Sequence, residues 1–243
     1  MLAPATHTDE VLPAGHPCAS CEVRYRAVCG VLGCKDLERF KNLGRTVTLG
    51  PGQALFHEGD PASRVFTLTR GTLKLYKLLP DGRRHVTDFV YPGDFLGISP
   101  RHEHAFSAEA VERAQLCWFP RNRFDDFVET HLPMERSLYR AAANELSAAQ
   151  NQMLLLGRKT ARERVATFLL SVDERTAPRG ARSSVIRLPM SRSDIADYLG
   201  LTKETVSRVI SAFKSSRLIR LRATDEIELL DEKQLKQIAE CAV

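Results

Sequence analysis

Apolar residues follow two different periods along the chain. Between Arg45 and Pro120 they alternate, most clearly in Thr46-Val47-Thr48-Leu49, in Arg64 to Leu68 and in Thr72 to Leu79, with β-branched and aromatic side chains filling the runs. Gly50, Gly52, Gly59, Gly71, Gly82, Gly93 and Gly97 break these runs, and Asp81-Gly82 is a hairpin signal. Many short strands at close spacing predict an antiparallel barrel or jelly roll. From about Phe124 the period becomes helical. Pro133 suits the first turn of a long helix, where its missing N–H costs nothing. Glu135 to Leu156 is rich in Ala, Leu, Glu and Gln, and Gly157 breaks the pattern. A helix this long and apolar has more surface to bury than a small domain offers, which predicts pairing with a second copy of itself. Tyr139, Ala142, Leu146, Ala149, Met153 and Leu156 form one candidate seam; Ala143, Ser147, Gln150 and Leu154 form another. The pattern leaves open which of them faces the partner.

Beyond the long helix, Thr160-x-x-Glu163 is a capping box that opens the next one, and Arg175 to Ser184, with Pro178 and Gly180, reads as a loop. Ser191-x-x-Asp194 caps a short helix from Ser193 to Leu199 whose Ile195, Ala196 and Leu199 point inward. Gly200-Leu201 forms the turn: glycine supplies a positive φ and leucine plugs the angle between helices. Thr202 caps a second helix in which Val206, Val209, Ile210 and Phe213 recur at helical spacing. Lys203, Glu204, Ser207 and Arg208 are left on its outer face, where a recognition helix meets base edges. Arginine forks onto guanine O6 and N7, glutamate accepts from cytosine N4, and serine can bond either base. Thr202 and Arg192 complete the candidate DNA-contacting set, and Leu218 to Leu230 reads as a wing folded around Thr224-Asp225.

Charge supports that reading. The 243-residue chain carries a formal +5, but Arg158 to Arg222 holds 15 Lys and Arg against 6 Asp and Glu, so the remainder is slightly acidic. A basic C-terminal third is the footprint of a domain that sits on phosphates. No paired carboxylates, nucleophile constellation or phosphate loop argues for an enzyme. No stretch reaches the roughly eighteen apolar residues of a membrane span. Met1 to Pro17 lacks a basic n-region and an apolar h-region, so it reads as a polar arm on a cytoplasmic protein with reduced thiols.

The segment Arg192 to Ser216, the glycine-punctuated barrel and the Ala/Leu-rich helix resemble the CRP/FNR superfamily of homodimeric bacterial regulators, from about Pro17 to the C-terminus. The resemblance implies an α+β fold: an N-terminal antiparallel β-roll or jelly roll like a cyclic-nucleotide-binding domain, a long dimerisation helix and a C-terminal winged helix-turn-helix. The corresponding boundaries are 1–35 for the arm and cysteine loop, 36–132 for the β-roll, 133–158 for the dimerisation helix and 159–243 for the DNA-binding domain. Glu204-x-x-Ser207-Arg208 is the FNR-branch form of the recognition helix, which implies half-sites of the TTGAT type in a two-fold palindrome of double-stranded DNA. The hairpin tip from Pro80 to His85 resembles the surface through which family activators touch RNA polymerase. In the cyclic-nucleotide branch a Gly-Glu, a short helix and an Arg-Ser hold the phosphate. Here the stretch runs Gly93-Asp94-Phe95-Leu96-Gly97 to Phe106-Ser107-Ala108, and no arginine stands in the clamping place. A buried phosphate without a basic partner is costly, so no cyclic nucleotide is expected and Gly93 to Gly97 is left as scaffolding.

Cys18, Cys21 and Cys29 form C-x2-C-x7-C, Cys34 follows, and Cys117 lies far downstream. Clustered cysteines in a reduced compartment read as metal ligands or redox centres. Four thiolates suit an iron–sulfur cluster or structural zinc; one C-x2-C pair followed by looser cysteines in a glycine-containing loop favours the cluster. The FNR-type oxygen sensors implied by the resemblance bind a [4Fe–4S] cluster with three N-terminal cysteines and a fourth late in the barrel, which maps onto Cys18, Cys21, Cys29 and Cys117, the spacing resembling the alphaproteobacterial branch. Cys34 is an alternative to Cys29, and zinc, thiol-redox or haem and nitric-oxide sensing are the rival inputs. Cys241 reads as a bystander, Trp118 and Phe119 as core, and His102 and His104 as two solvated histidines in a polar loop.

Overall fold

The computed structural model describes residue 12 and residues 15–99, 102–177 and 184–240. Pro178, Gly180, Cys241 and most of the predicted arm lie outside them; Leu12 of that arm is buried in an apolar cluster rather than solvated. After turns from Pro17 to Ser20 and Glu22 to Arg26, a single 3-10 turn at Val28–Val31 leads into α1 (Cys34–Leu43). The alternating region forms β1 (Arg45–Leu49), β2 (Ala54–Phe56), β3 (Arg64–Arg70), β4 (Leu73–Leu78), β5 (Arg84–Val90), β6 (Phe95–Leu96), β7 (Ser107–Ala110) and β8 (Ala114–Pro120). Two four-stranded antiparallel sheets result, in the orders β1-β8-β3-β6 and β2-β7-β4-β5. Leu49, Leu68, Leu73, Leu116 and Ala108 are buried between them, as the period-two pattern requires. Asp81-Gly82 does turn β4 into β5, the Leu79 N–H bonding the Arg83 carbonyl at 2.8 Å.

Two residues depart from expectation. His104 is buried and stacked on Phe56 with ring centroids 3.6 Å apart, so only His102 is solvated. Trp118 is half-buried beneath the Arg64 guanidinium, whereas Phe119 is fully core. The histidine is held by backbone bonds to the Gly59-Asp60 turn, a long-range pairing that local polarity does not announce.

α2 (Arg121–Glu129) starts at the end of β8, three residues before Phe124. α3 (Leu132–Arg158) has Pro133 in its first turn and runs through Gly157. A glycine this near a helix end costs only about 1 kcal/mol. The Arg164 guanidinium offsets it by donating to the carbonyls of Leu156 and Lys159. α4 (Ala161–Thr176) opens on the predicted capping box and overruns the expected loop start, because Arg175 is fixed by ion pairs to Asp88 at 2.8 Å and Asp94 at 2.9 Å. Next come β9 (Val185–Arg187), α5 (Arg192–Leu199), α6 (Lys203–Ser215), β10 (Ile219–Leu221), β11 (Glu226–Leu229) and α7 (Glu232–Glu240). β10, β11 and β9 form the wing sheet.

One apolar core joins the barrel to the DNA-binding segment. Tyr76, Val86, Phe89 and Tyr91 from β4, β5 and the turn beyond pack with Phe168, Leu169, Ile195 and Leu199. Ion pairs border this contact: Lys74 to Asp194 at 3.0 Å and to Glu109 at 2.9 Å, and Arg84 to Asp194 and Asp197 at 2.8 Å each.

Candidate functional site

The helix-turn-helix is built as its caps dictate. Asp194 N–H bonds the Ser191 hydroxyl and Ser191 N–H bonds the Asp194 carboxylate, both at 3.1 Å, which fixes the start of α5. Gly200 sits at φ +61° between the helices, a left-handed conformation that glycine takes without strain. Thr202 accepts from the Thr205 N–H at 3.2 Å and starts α6. Val206, Ile210 and Phe213 are buried, and Thr202, Lys203, Glu204, Ser207 and Arg208 are exposed, with Ser211 continuing that face one turn on. Arg208 donates to the Thr205 hydroxyl at 3.2 Å, which orients its guanidinium along the outer face. Arg192 is placed differently. It is half-buried in the first turn of α5, and burial lowers its pKa by disfavouring the charge.

Arg164 is the residue that sequence reasoning missed. Its guanidinium donates to the carbonyls of Leu156 and Leu199 at 2.9 Å and Lys159 at 2.8 Å, so it ties the end of α3 to the turn before α6. The sequence showed it only as one of many basic residues. α3 packs on the rest of the chain by Met134, Leu138 and Ala141 towards one end and by Gln152, Leu155 and Leu156 towards the other. Residues 142–151 are solvent-accessible, so both candidate seams are uncovered along that stretch, while Glu145 faces Asp88, Asp94 and Arg175, and burial together with those two carboxylates raises its pKa; Tyr139 is 77% exposed and Met153 72%.

The second candidate site is a small cavity against the barrel. Cys18, Cys21, Cys29 and Cys117 line it together with Leu37, Phe40, Lys41, Thr67, Thr69 and Phe119. Cys34 does not line it; it begins α1 and packs in the apolar cluster that also takes in Cys18, Cys29 and Cys117. β8 supplies Cys117, paired in register with Thr46 on one side and Thr67 on the other, while the irregular turns around Val23 and Ala27 supply the rest. Lys41 Nζ lies 3.4 Å from Cys117 Sγ. Burial, reinforced by the other three thiols, pushes the Cys29 thiol up to about 12, and burial also raises Cys18. Among the described residues no three Cys, His, Asp or Glu side chains converge at coordinating distance.

Comparison with known proteins identifies the framework. A Crp-like helix-turn-helix domain model matches residues 163–238, and a cyclic nucleotide-binding domain model matches residues 46–131. The transcriptional activatory protein AadR of Rhodopseudomonas palustris is 44% identical over 90% of this chain and 91% of its own length. The chain belongs to the CRP/FNR superfamily of transcription regulators. Within it, the nitrogen fixation regulation protein FixK of Bradyrhizobium diazoefficiens is 41% identical over 93% of this chain and 95% of its own. The activator FnrL of Cereibacter sphaeroides is 34% identical over 89% and 92%. The solved structure of FixK2 from Bradyrhizobium japonicum superposes with a TM-score of 0.77 at 36% identity, covering 82% of this chain and 99% of that one. As a family member, the chain is a DNA-binding regulator, and no helix among its described residues is long and apolar enough to cross a membrane.

Proposed function

We propose that this regulator acts as a homodimer that senses oxygen through a [4Fe–4S] cluster held by Cys18, Cys21, Cys29 and Cys117 and binds TTGAT-type palindromes when oxygen is low. The observation that carries the proposal is the shared cavity: thiols from the N-terminal turns and from β8 line one space, and Cys34 is not among them. The donor set fits. Four soft thiolates match iron–sulfur ligation, Leu37, Phe40 and Phe119 give an apolar wall, and Lys41 offers positive charge beside Cys117. Cys18, Cys21 and Cys29 from the N-terminal turns and Cys117 from β8 would hold the group. When bound, such a cluster supplies iron–sulfur bonds that oxygen breaks.

The residues then divide the work. The uncovered apolar face of α3 pairs two copies, and pairing lets two copies of α6 engage successive half-sites of one duplex. Glu204, Ser207 and Arg208 read bases, with Arg208 forked onto guanine. Thr202 and Lys203, and Arg192 from α5, serve the phosphates, and the Pro80 to His85 tip offers a surface to RNA polymerase. Asp94 is already paired with Arg175, and Phe106 packs on the barrel core, which supports a regulator without cyclic nucleotide.

Iron and acid-labile sulfide, assayed after purification without air, test the ligand set. Cys117→Ser is expected to abolish both, and Cys34→Ser to retain both at wild-type levels. Stoichiometric zinc, haem, or loss of the cluster in Cys34→Ser would contradict it.

A further inference from the structure

Cys21 and Cys29 are separated by turns that carry Arg26, an exposed residue with two points of attachment. Its guanidinium donates to the Arg175 carbonyl in the last turn of α4. Its side chain also lies flat over Gly93, where a Cβ would meet the Arg26 Cβ at 2.9 Å; Gly93 has φ +104°, so only glycine suits both the space and the backbone. The neighbouring Asp94 carboxylate accepts from Tyr91 N–H and from Arg175, each at 2.9 Å. Arg175 also rests its guanidinium 4.8 Å from the Tyr91 ring centre. Arg26 and Arg175 therefore grip one turn from two sides. That turn is bonded in its own right to β3, through Gly93 N–H to the Leu68 carbonyl and Leu68 N–H to the Asp94 carbonyl. Thr67 and Thr69, on either side of Leu68, line the cysteine cavity.

We propose that Arg26 is a positioning residue that transmits the shape of the cysteine-bearing turns directly to α4, and so to the helix-turn-helix, within one protomer. This rests on the cysteine cavity being the input, and it adds a route that does not pass through α3 pairing. The moving element is the Cys18–Cys29 segment, whose backbone, among the described residues, carries no strand pairing and only short-range turn hydrogen bonds, with the Arg26 side chain reaching from it to α4, so its shape responds to what its thiols hold. A shift of Arg26 either keeps or releases the α4 end, and Arg164, about three turns upstream on the same helix, ties that helix to the turn before α6.

The test compares wild type, Arg26→Ala and Arg26→Lys as full-length proteins purified without air. Sedimentation gives dimer content, absorption gives cluster content, and a titration gives affinity for a TTGAT palindrome. Arg26→Ala is expected to keep wild-type colour and dimer content while losing at least about 5-fold in affinity, the lower end of ordinary coupling between sites, and Arg26→Lys to recover part of the loss. Unchanged affinity, or a loss that only tracks lost dimer, overturns the proposal. Hydrogen exchange at residues 172–177 supplies a readout that survives failure of the cluster reading. If the wild-type protein holds no iron, its thiols are alkylated instead. Exchange at the α4 end must then change in wild type and not in Arg26→Ala; the same response in both proteins overturns the route while the absence of iron separately refutes the cluster.

Discussion

Arg208, Glu204 and Ser207 stand on the exposed face of α6, and of these Arg208 bears the sharpest consequence. A guanidinium forked onto a guanine discriminates by about 1–3 kcal/mol per base pair. Arg208→Ala is expected to weaken binding to the palindrome by that amount while leaving affinity for random duplex nearly unchanged, as competition titrations would show. Equal losses on both would place the side chain on phosphate. Lys203→Ala should instead lower affinity on every sequence and flatten the salt dependence by about one unit. These residues were legible because helical spacing alone sorts inward from outward positions. The charge excess was legible only in sum. Arg164 bonds backbone carbonyls, Arg175 pairs with Asp88 and Asp94, and Arg187 pairs with Glu112 and Asp225, so part of the basic count holds the fold together rather than facing DNA.

At the scale of elements, the caps and the apolar periods were readable, and the ends of elements were less so. Both capping boxes formed as their residues dictate. Gly157 failed to end α3 because Arg164 of the next helix bonds the carbonyls around it, and Arg175 extended α4 because Asp88 and Asp94, far away in sequence, hold it. His104 is buried because a ring far away in sequence, Phe56 of β2, covers it. The α3 seam stays undecided, since Leu146 and Ala149 on one seam and Ala143, Ser147 and Gln150 on the other are all exposed in the single chain. Leu146 lies on one seam and is largely exposed. Leu146→Arg would put charge into a paired face, so sedimentation should find monomer where wild type is dimer, with anaerobic DNA affinity falling in parallel. A dimer of unchanged stability would move the interface to the Ala143 to Leu154 side.

Across the whole molecule, the DNA-binding segment is seated on the barrel by an apolar core with a buried ionic border, an association that no local pattern of residues foreshadows. Lys74 is buried between Asp194 and Glu109. Lys74→Met leaves Glu109 without its ion pair and Asp194 with Arg84 as its remaining cation, and removing one partner of a buried pair costs about 3 kcal/mol or more, so the urea midpoint should drop clearly. Burial alone would raise the Asp194 carboxyl; bonds from Ser191 and Lys74 and the charge of Arg84 overcome it and hold the pKa below the ordinary value. A depressed carboxylate contributes its stability above the unfolded value of about 4 and loses it as pH falls further, through the folded value. Seating of the DNA-binding segment should therefore weaken below about pH 4, and Asp194→Asn should remove that component of the acid transition.

The four-cysteine cavity and the recognition helix are joined in one claim, that the first controls the second. The most direct measurement is the affinity of one anaerobic preparation for a TTGAT-N4-ATCAA duplex, titrated before and after admission of air while absorption is followed. A coloured protein whose affinity falls as its colour bleaches is the predicted result. A colourless protein, or a coloured one whose affinity does not change with bleaching, would contradict it.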